Sequence, residues 1–424
     1  MVLKAFQKEK GKFLLMAGIL LMWALLGVLF KEYGYSNTWK LWKVPVEEPY
    51  FLDFRMIPGS AESFRNGFEP TLKNPYDPYK RLFNYPAFWR LFFYTGISAD
   101  DTLWIVVLML VLFFVGVVLF PQALSPLDAL LMLLIVFSPV AMLLYERGNI
   151  DLFVFFICAM VVFVSAYSVN WAAGLIVFGA IAKIFPVFGI SVLLKEPRGR
   201  FWKLAAVCIF FVAAYGLLTF ESQRAAWSAT QRGDDISYGA FVLLTRLETY
   251  LQSLLPAMRS VRRMKFLFEG LAIGLILFGL GWGIVQPHRL KATNERNLAA
   301  FRMGASIYLG TFLLGNNFDY RLVFLIFVVP QLSQWLRLKF NLQNLILLSV
   351  MIAVYLSCWY FLIKINLPVN FIDDPKIGSF LVDEFFNWML LPGFAYLLGA
   401  SSPDWFRKDV QKLLGGGISR RRKT

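Results

Sequence analysis

Histidine and cysteine are nearly absent. The single histidine, His288, lies in a basic loop, and the three cysteines, Cys158, Cys208 and Cys358, lie inside apolar runs with no CxxC spacing. Zinc sites draw on several His or Cys ligands, so neither a metal centre nor another cofactor is expected, and the cysteines read as packing residues. Charged residues make up only 16% of the chain. Internal repeats and low-complexity segments are missing, and the Gly-Gly-Gly near position 415 belongs to a flexible tail. Alternating ten-residue segments, the mark of a transmembrane β-barrel, are missing too. No small-residue cleavage site follows the basic start MVLKAFQKEKGKF, so it reads as a retained signal anchor.

Apolar residues are abundant. They form 58% of the 424 positions, with a mean hydropathy of +0.60. They recur in runs of about 20 residues, each long enough to cross about 30 Å of hydrocarbon. The class expected is an all-α polytopic membrane protein, read as one integrated unit over 1–424. Aromatics at 17% suit lipid-facing surfaces and interfaces. The net charge of +15 reads as cytoplasmic Lys and Arg that set topology and meet anionic membrane lipid, not as a nucleic-acid surface.

Taken in order, the spans are expected at about 13–30, 103–120, 127–145 and 150–167. Lys4, Lys8, Lys10 and Lys12 place the N-terminus in the cytoplasm, which puts 31–101 outside. The segment 171–194 carries Lys183 and Pro186 at its centre. As one crossing it would put the basic KEPRGRFWK outside, so two half-helices are expected, 171–183 and 184–194, lining a protein cavity. One kinked helix with a snorkelling lysine is the alternative. Further spans follow at 204–220, 264–286, 300–315, 320–336, 342–363 and 379–399, with a second outer loop at 221–262 and a basic cytoplasmic tail at 400–424. The total is about ten full spans plus one broken hairpin, with structured outer loops.

On this topology the chemistry-bearing residues share the outer side. Asp53 sits in the first outer loop, ahead of NPYDPY and NYPAFW. Glu146, Arg147, Asn149 and Asp151 cluster at the end of the third span, and Lys183 points into the broken hairpin. Arg224, Arg232, Asp234, Asp235, Arg246, Arg259, Arg262 and Arg263 lie in the second loop. Asn316, Asn317, Asp319, Tyr320 and Arg321 form a further cluster. A carboxylate facing several cations suits transfer from a phosphorylated lipid. The base takes a proton from an acceptor hydroxyl, and the cations stabilise charge growing on the leaving phosphate. Plainer readings stand beside these. Asp53 could be a solvated pair with Arg55, Arg147 an interfacial anchor, and Asn149 the N-cap of the following helix.

Four stretches resemble the GT-C membrane glycosyltransferases, and within them glycosyltransferase family 87, whose members use polyprenol-phosphate mannose. These are Asp53 with NPYDPY and NYPAFW, Gly148-Asn149 in ERGNIDLF, AAGLIVFGAIAKIFP with its basic loop, and ISYGAFVLLTRL. The resemblance covers about 45–330. It implies a GT-C-like bundle and a metal-independent, inverting transfer to a glycan or glycolipid acceptor, with Asp53 as general base. It places Arg147 and Lys183 near the donor phosphate, and Arg321 is taken as a third phosphate contact. Substrate contacts are expected from Asn149, Asp77, Tyr79, Tyr85, Asn317, Asp319 and Tyr238. Many members carry histidines where this chain has GNNFDYR. A transporter or flippase for a lipid-linked or anionic solute is the competing reading, since broken helices with a buried lysine also suit transport. The missing repeats and the long outer loop favour the transferase.

Overall fold

Sixteen α-helices, four 3-10 segments and one two-residue strand pair account for nearly all of the ordered backbone among the described residues. The structure, a computed structural model, describes residues 2–230, 236–254, 265–286, 289–292, 294–337, 342–366 and 375–413. The helices are α1 (Val2–Lys40), α2 (Leu52–Arg65), α3 (Thr102–Leu119), α4 (Pro126–Val136), α5 (Pro139–Arg147), α6 (Asp151–Ser165), α7 (Val169–Ala182) and α8 (Arg198–Leu218). They continue as α9 (Phe220–Ala229), α10 (Val242–Leu254), α11 (Lys265–Val285), α12 (Glu295–Leu313), α13 (Val329–Leu336), α14 (Leu342–Asn366), α15 (Pro375–Ala400) and α16 (Asp404–Leu413). The chain is therefore an all-α polytopic membrane protein.

Four helical stretches are individually long and apolar enough to cross a membrane: Lys10–Lys40, Ala99–Leu119, Arg198–Leu218 and Lys265–Val285. Their side chains are mostly exposed although apolar, which fits hydrocarbon as the surrounding solvent. The expected count of about ten spans is not met by unbroken helices, for local reasons. The third expected span is split at Ser138-Pro139 into α4 and α5, bent by 55°. Proline at the first position of α5 supplies no amide to the preceding turn. The stretch 320–336 is a 3-10 helix, Asp319–Val328, that passes into α13. The first helix also outruns its expected end. It continues to Lys40 through a break at Gly34, whose φ of 77° is cheap only for glycine.

The segment 171–194 does fold back. After α7, Lys183 adopts an extended backbone and Phe185–Lys195 returns as a 3-10 helix. A Cβ on Gly179 would meet Pro186, and one on Gly189 would come within reach of Ile176, so the two arms run antiparallel. Elsewhere in the bundle α11 and α15 run parallel at backbone contact. A Cβ on Gly283 would lie 2.1 Å from the Tyr396 carbonyl oxygen, and one on Gly279 2.5 Å from that of Pro392. Small residues permit this approach between membrane helices. Gly283→Val is expected to destabilise the fold by about 1–3 kcal/mol through overpacking, seen as a lower thermal unfolding midpoint in detergent.

The buried apolar cluster draws on residues from Leu15 to Ala400. The strands β1 (Ser237–Tyr238) and β2 (Asn317–Phe318) pair antiparallel, Ser237 opposite Phe318 and Tyr238 opposite Asn317. That short ladder pins the stretch after α9 to the turn that follows α12.

Candidate active site

The segment between α1 and α3 is folded onto α2 by one buried amide. Asn74 donates to Ser60 Oγ (3.0 Å) and to the Arg81 carbonyl (2.8 Å), and accepts from Ser63 Oγ (2.7 Å). Asp77 accepts from the backbone amides of Tyr79 and Arg81, both at 3.0 Å, and holds the Arg81 guanidinium at 2.8 Å. Arg81 in turn donates to the Leu52 carbonyl (2.7 Å), and Tyr85 Oη donates to that of Asp53 (3.0 Å). These bonds anchor the first turn of α2, where Asp53 sits. The same segment is tied to the hairpin: Trp89 Nε1 donates to the Ala182 carbonyl at 2.9 Å, next to Lys183.

Gly148 ends α5 in the left-handed region, with φ of 56°. A Cβ there would lie 2.8 Å from Phe51 Cβ and 2.9 Å from Val106 Cγ2, so both conformation and space require glycine. The turn delivers Asn149 to the centre of the site. Its Nδ2 donates to Asp53 Oδ2 (2.7 Å) and Tyr320 Oη (3.0 Å). Its Oδ1 accepts from Lys183 Nζ (3.3 Å) and the Asp151 amide (3.0 Å). An amide has two donors and two acceptor lone pairs, so its capacity is fully used. Carboxylate and ammonium are thereby held one amide apart. Below it, the fully buried Asp151 binds Lys183 Nζ at 2.5 Å and Arg321 Nε at 3.1 Å. Arg321 also donates to Asn317 Oδ1.

These residues surround a cavity of about 590 Å³. Its charged lining comprises Glu47, Asp53, Arg81, Arg147, Lys183 and Arg321, four cations against two carboxylates. Tyr79, Tyr85, Asn149 and Tyr320 add polar surface, and Leu52, Met56, Leu143 and Ile236 add apolar surface. The side chain of Asp53 is 22% exposed, so one carboxylate oxygen can face an incoming hydroxyl. Burial works to lower the pKa of Arg81, but the hydrogen bonds and charge of Asp77, with Asp53 behind them, outweigh it and hold the guanidinium above its ordinary value. Burial pushes the Tyr85 hydroxyl well up, with the Asp53 charge adding to the effect, so Tyr85 stays a neutral donor.

Of the residues singled out in the sequence, Asp53, Arg147, Lys183, Arg321, Asn149, Tyr79 and Tyr85 line this cavity. Arg147 is engaged by Glu146 (3.3 Å) and Glu47 (3.7 Å). Four others stand behind the wall. Asp77 braces Arg81, and Asn317 donates to the Thr311 carbonyl (2.5 Å) while accepting from Arg321. The Asp319 amide donates to the Ile236 carbonyl (2.9 Å). Tyr238 hydrogen-bonds Thr311 (2.9 Å) and stacks on Tyr308. Arg55 is not the partner of Asp53: it packs over the Tyr50 ring (4.6 Å) and donates to the Tyr50 carbonyl. Its place is taken by Arg81, 3.7 Å away. Sequence reasoning missed Arg81, although it lies four residues after Asp77. Asn149 is not an N-cap, a position held by Ile150, but it caps in effect by accepting from the Asp151 amide. Arg224 is exposed and Arg246 packs over Phe380 (5.6 Å), both away from the cavity lining. Arg232, Asp234, Asp235, Arg259, Arg262, Arg263 and His288 lie outside the described residues.

Compared with known proteins, the chain matches the family model described as glycosyltransferase family 87 over residues 83–314, more than half of its length. No curated protein and no solved structure matches it. The matched residues include Arg147, Asn149 and Lys183. Asp53 lies before them and Arg321 after.

Proposed function

The chain belongs to glycosyltransferase family 87 and is a membrane glycosyltransferase, and from this premise we propose that Asp53 is its general base, acting on a sugar carried by polyprenyl phosphate. The observation that carries the reading is the bridging of Asp53 and Lys183 by Asn149 at the wall of a cavity whose charge is predominantly positive. An acceptor hydroxyl gives its proton to the Asp53 carboxylate as its oxygen bonds to the sugar C1. The bond from C1 to the phosphate oxygen breaks, and its electron pair stays on the phosphate. The growing negative charge falls near Lys183, Arg321 and Arg147, in a setting where water competes weakly. Arg147 and Arg321 offer planar forks to phosphate, and Lys183 a point charge.

The acceptor in this reading is a lipid-linked or cell-envelope glycan, and a mannose-like hexose is the favoured sugar. The site faces the outside of the plasma membrane, with both termini cytoplasmic, because that topology leaves the charged inner loops basic. Nucleotide sugars stay in the cytoplasm, which is why a lipid-borne donor fits an outer site.

The test offers purified protein in nanodiscs a panel of radiolabelled polyprenyl-phosphate hexoses with membrane lipid extract, and nucleotide sugars in parallel. Transfer from a polyprenyl-phosphate hexose is expected. Transfer from nucleotide sugars alone would overturn the donor assignment. Lys183→Met is expected to weaken donor binding by about 10–100-fold, the worth of one charge-assisted hydrogen bond. Unchanged donor affinity would remove Lys183 from the phosphate site.

A further inference from the structure

A second cavity, of about 760 Å³, lies at the other end of the bundle. The two ends are set by the same elements. α6 starts at Asp151, directly behind Asn149 and Lys183 of the first cavity, and reaches Ser165 in the second, fifteen residues and therefore about 22 Å later. The hairpin likewise turns at Lys183 in one and ends at Lys195 in the other. The volume is within the range of small-molecule sites.

Its lining holds four cations, Lys195, Arg289, Arg296 and Arg302, and three carboxylates. Two of the carboxylates are engaged: Glu196 pairs with Arg200 at 3.1 Å, and Asp404 with Arg289 at 3.6 Å. Only Glu295 is left to face Lys195, Arg296 and Arg302, none of which forms a salt bridge among the described residues. The cations are held instead by neutral groups. Lys195 Nζ donates to the Ser165 carbonyl. Arg302, 2% exposed, donates to the Ser401 carbonyl at 3.2 Å. Arg296, 9% exposed, donates to Tyr167 Oη at 3.3 Å and lies 4.8 Å from the centre of the Phe163 ring. Its Nε, like that of Arg289, is buried with no hydrogen-bond partner.

Buried charge is costly unless paired, and a guanidinium stacked on rings keeps its charge and most of its five donors. Three elements thus aim underused donors into one hollow whose four cations face three carboxylates, of which Glu295 alone is outside a salt bridge among the described residues. We propose that this cavity is a second anion site, built for a phosphate group and separate from the sugar-transfer cavity. The phosphate can come from a lipid headgroup or from a soluble phosphate, and planar forks from Arg296 and Arg302 suit either.

The test uses the full chain in phosphatidylcholine nanodiscs. Thermal unfolding is followed against sodium phosphate at constant ionic strength, and separately in nanodiscs doped with phosphatidylglycerol. Ligand binding to the folded state raises the midpoint. A rise with phosphate identifies a soluble ligand, and a rise with phosphatidylglycerol alone identifies a headgroup. Arg296→Gln and Lys195→Gln are expected to weaken the response by about tenfold, the loss of one ionic hydrogen bond. Lys203→Gln, an exposed charge, is expected to leave it intact. No rise with either probe overturns the proposal. So does a rise that survives both Arg296→Gln and Lys195→Gln, or one that vanishes equally with Lys203→Gln.

Discussion

Asp53→Asn is expected to slow sugar transfer by about 10²–10⁴-fold, the usual contribution of a positioned base. The substitution is nearly isosteric. Asn149 Nδ2, now 2.7 Å from Asp53 Oδ2, can still donate to the new amide oxygen, and Tyr85 still binds the unaltered backbone carbonyl of residue 53. The fold and the donor site should therefore survive, with an unchanged unfolding midpoint and little change in donor affinity. Loss of turnover with retained binding separates a base from a bystander. A variant that transfers sugar at the parental rate would remove Asp53 from the reaction and leave the cavity without a carboxylate beside Asn149. Glu47, the other carboxylate in the lining, is already committed toward Arg147 (3.7 Å).

Asp151→Asn should be the most damaging change to stability at the site. The parent carboxylate is fully buried and neutralises two cations at once, Lys183 at 2.5 Å and Arg321 at 3.1 Å. Removing it leaves two positive groups facing each other where water screens them only in part. Breaking a buried pair of this kind costs about 3–5 kcal/mol, and the lower figure applies here because the Lys183 and Arg321 side chains keep 14% and 15% of their exposure. Denaturation in detergent should show the drop directly. Adding Lys183→Met to Asp151→Asn should cost less than the sum of the two changes, because the second substitution removes a charge that the first left unpaired. Additive losses would mean that Asp151 and Lys183 are not energetically coupled.

Parts of this arrangement were legible in the sequence because they break local rules. Lysine and proline in the middle of an apolar run cannot continue a lipid-facing helix, so Lys183 announced the hairpin turn. Clustered polar residues in ERGNID, between two apolar runs, announced a turn at the membrane edge. Other parts had no such signal. Whether Arg55 or Arg81 would reach Asp53 depends on how the 74–81 turn folds over α2, which rests on the buried Asn74 amide and not on sequence distance. The 3-10 course of Asp319–Val328 was also hidden, since its apolar run reads like any helix. Asn317 and Tyr238, expected as substrate contacts, pack behind the wall, where they orient Arg321 and fill the space beside Thr311.

The hairpin carries one more consequence. Its outgoing arm, α7, has fourteen residues and rises about 21 Å, well short of the roughly 30 Å of a bilayer interior. The Trp89 indole fastens the loop that carries Asp53 to the tip of that short arm. On the proposed reading, a donor phosphate that reaches Lys183 sinks below the headgroup plane, and thinner lipid around the hairpin eases its approach. Sugar transfer should accordingly vary with acyl chain length, fastest in thin bilayers and slower as longer chains bury the tip.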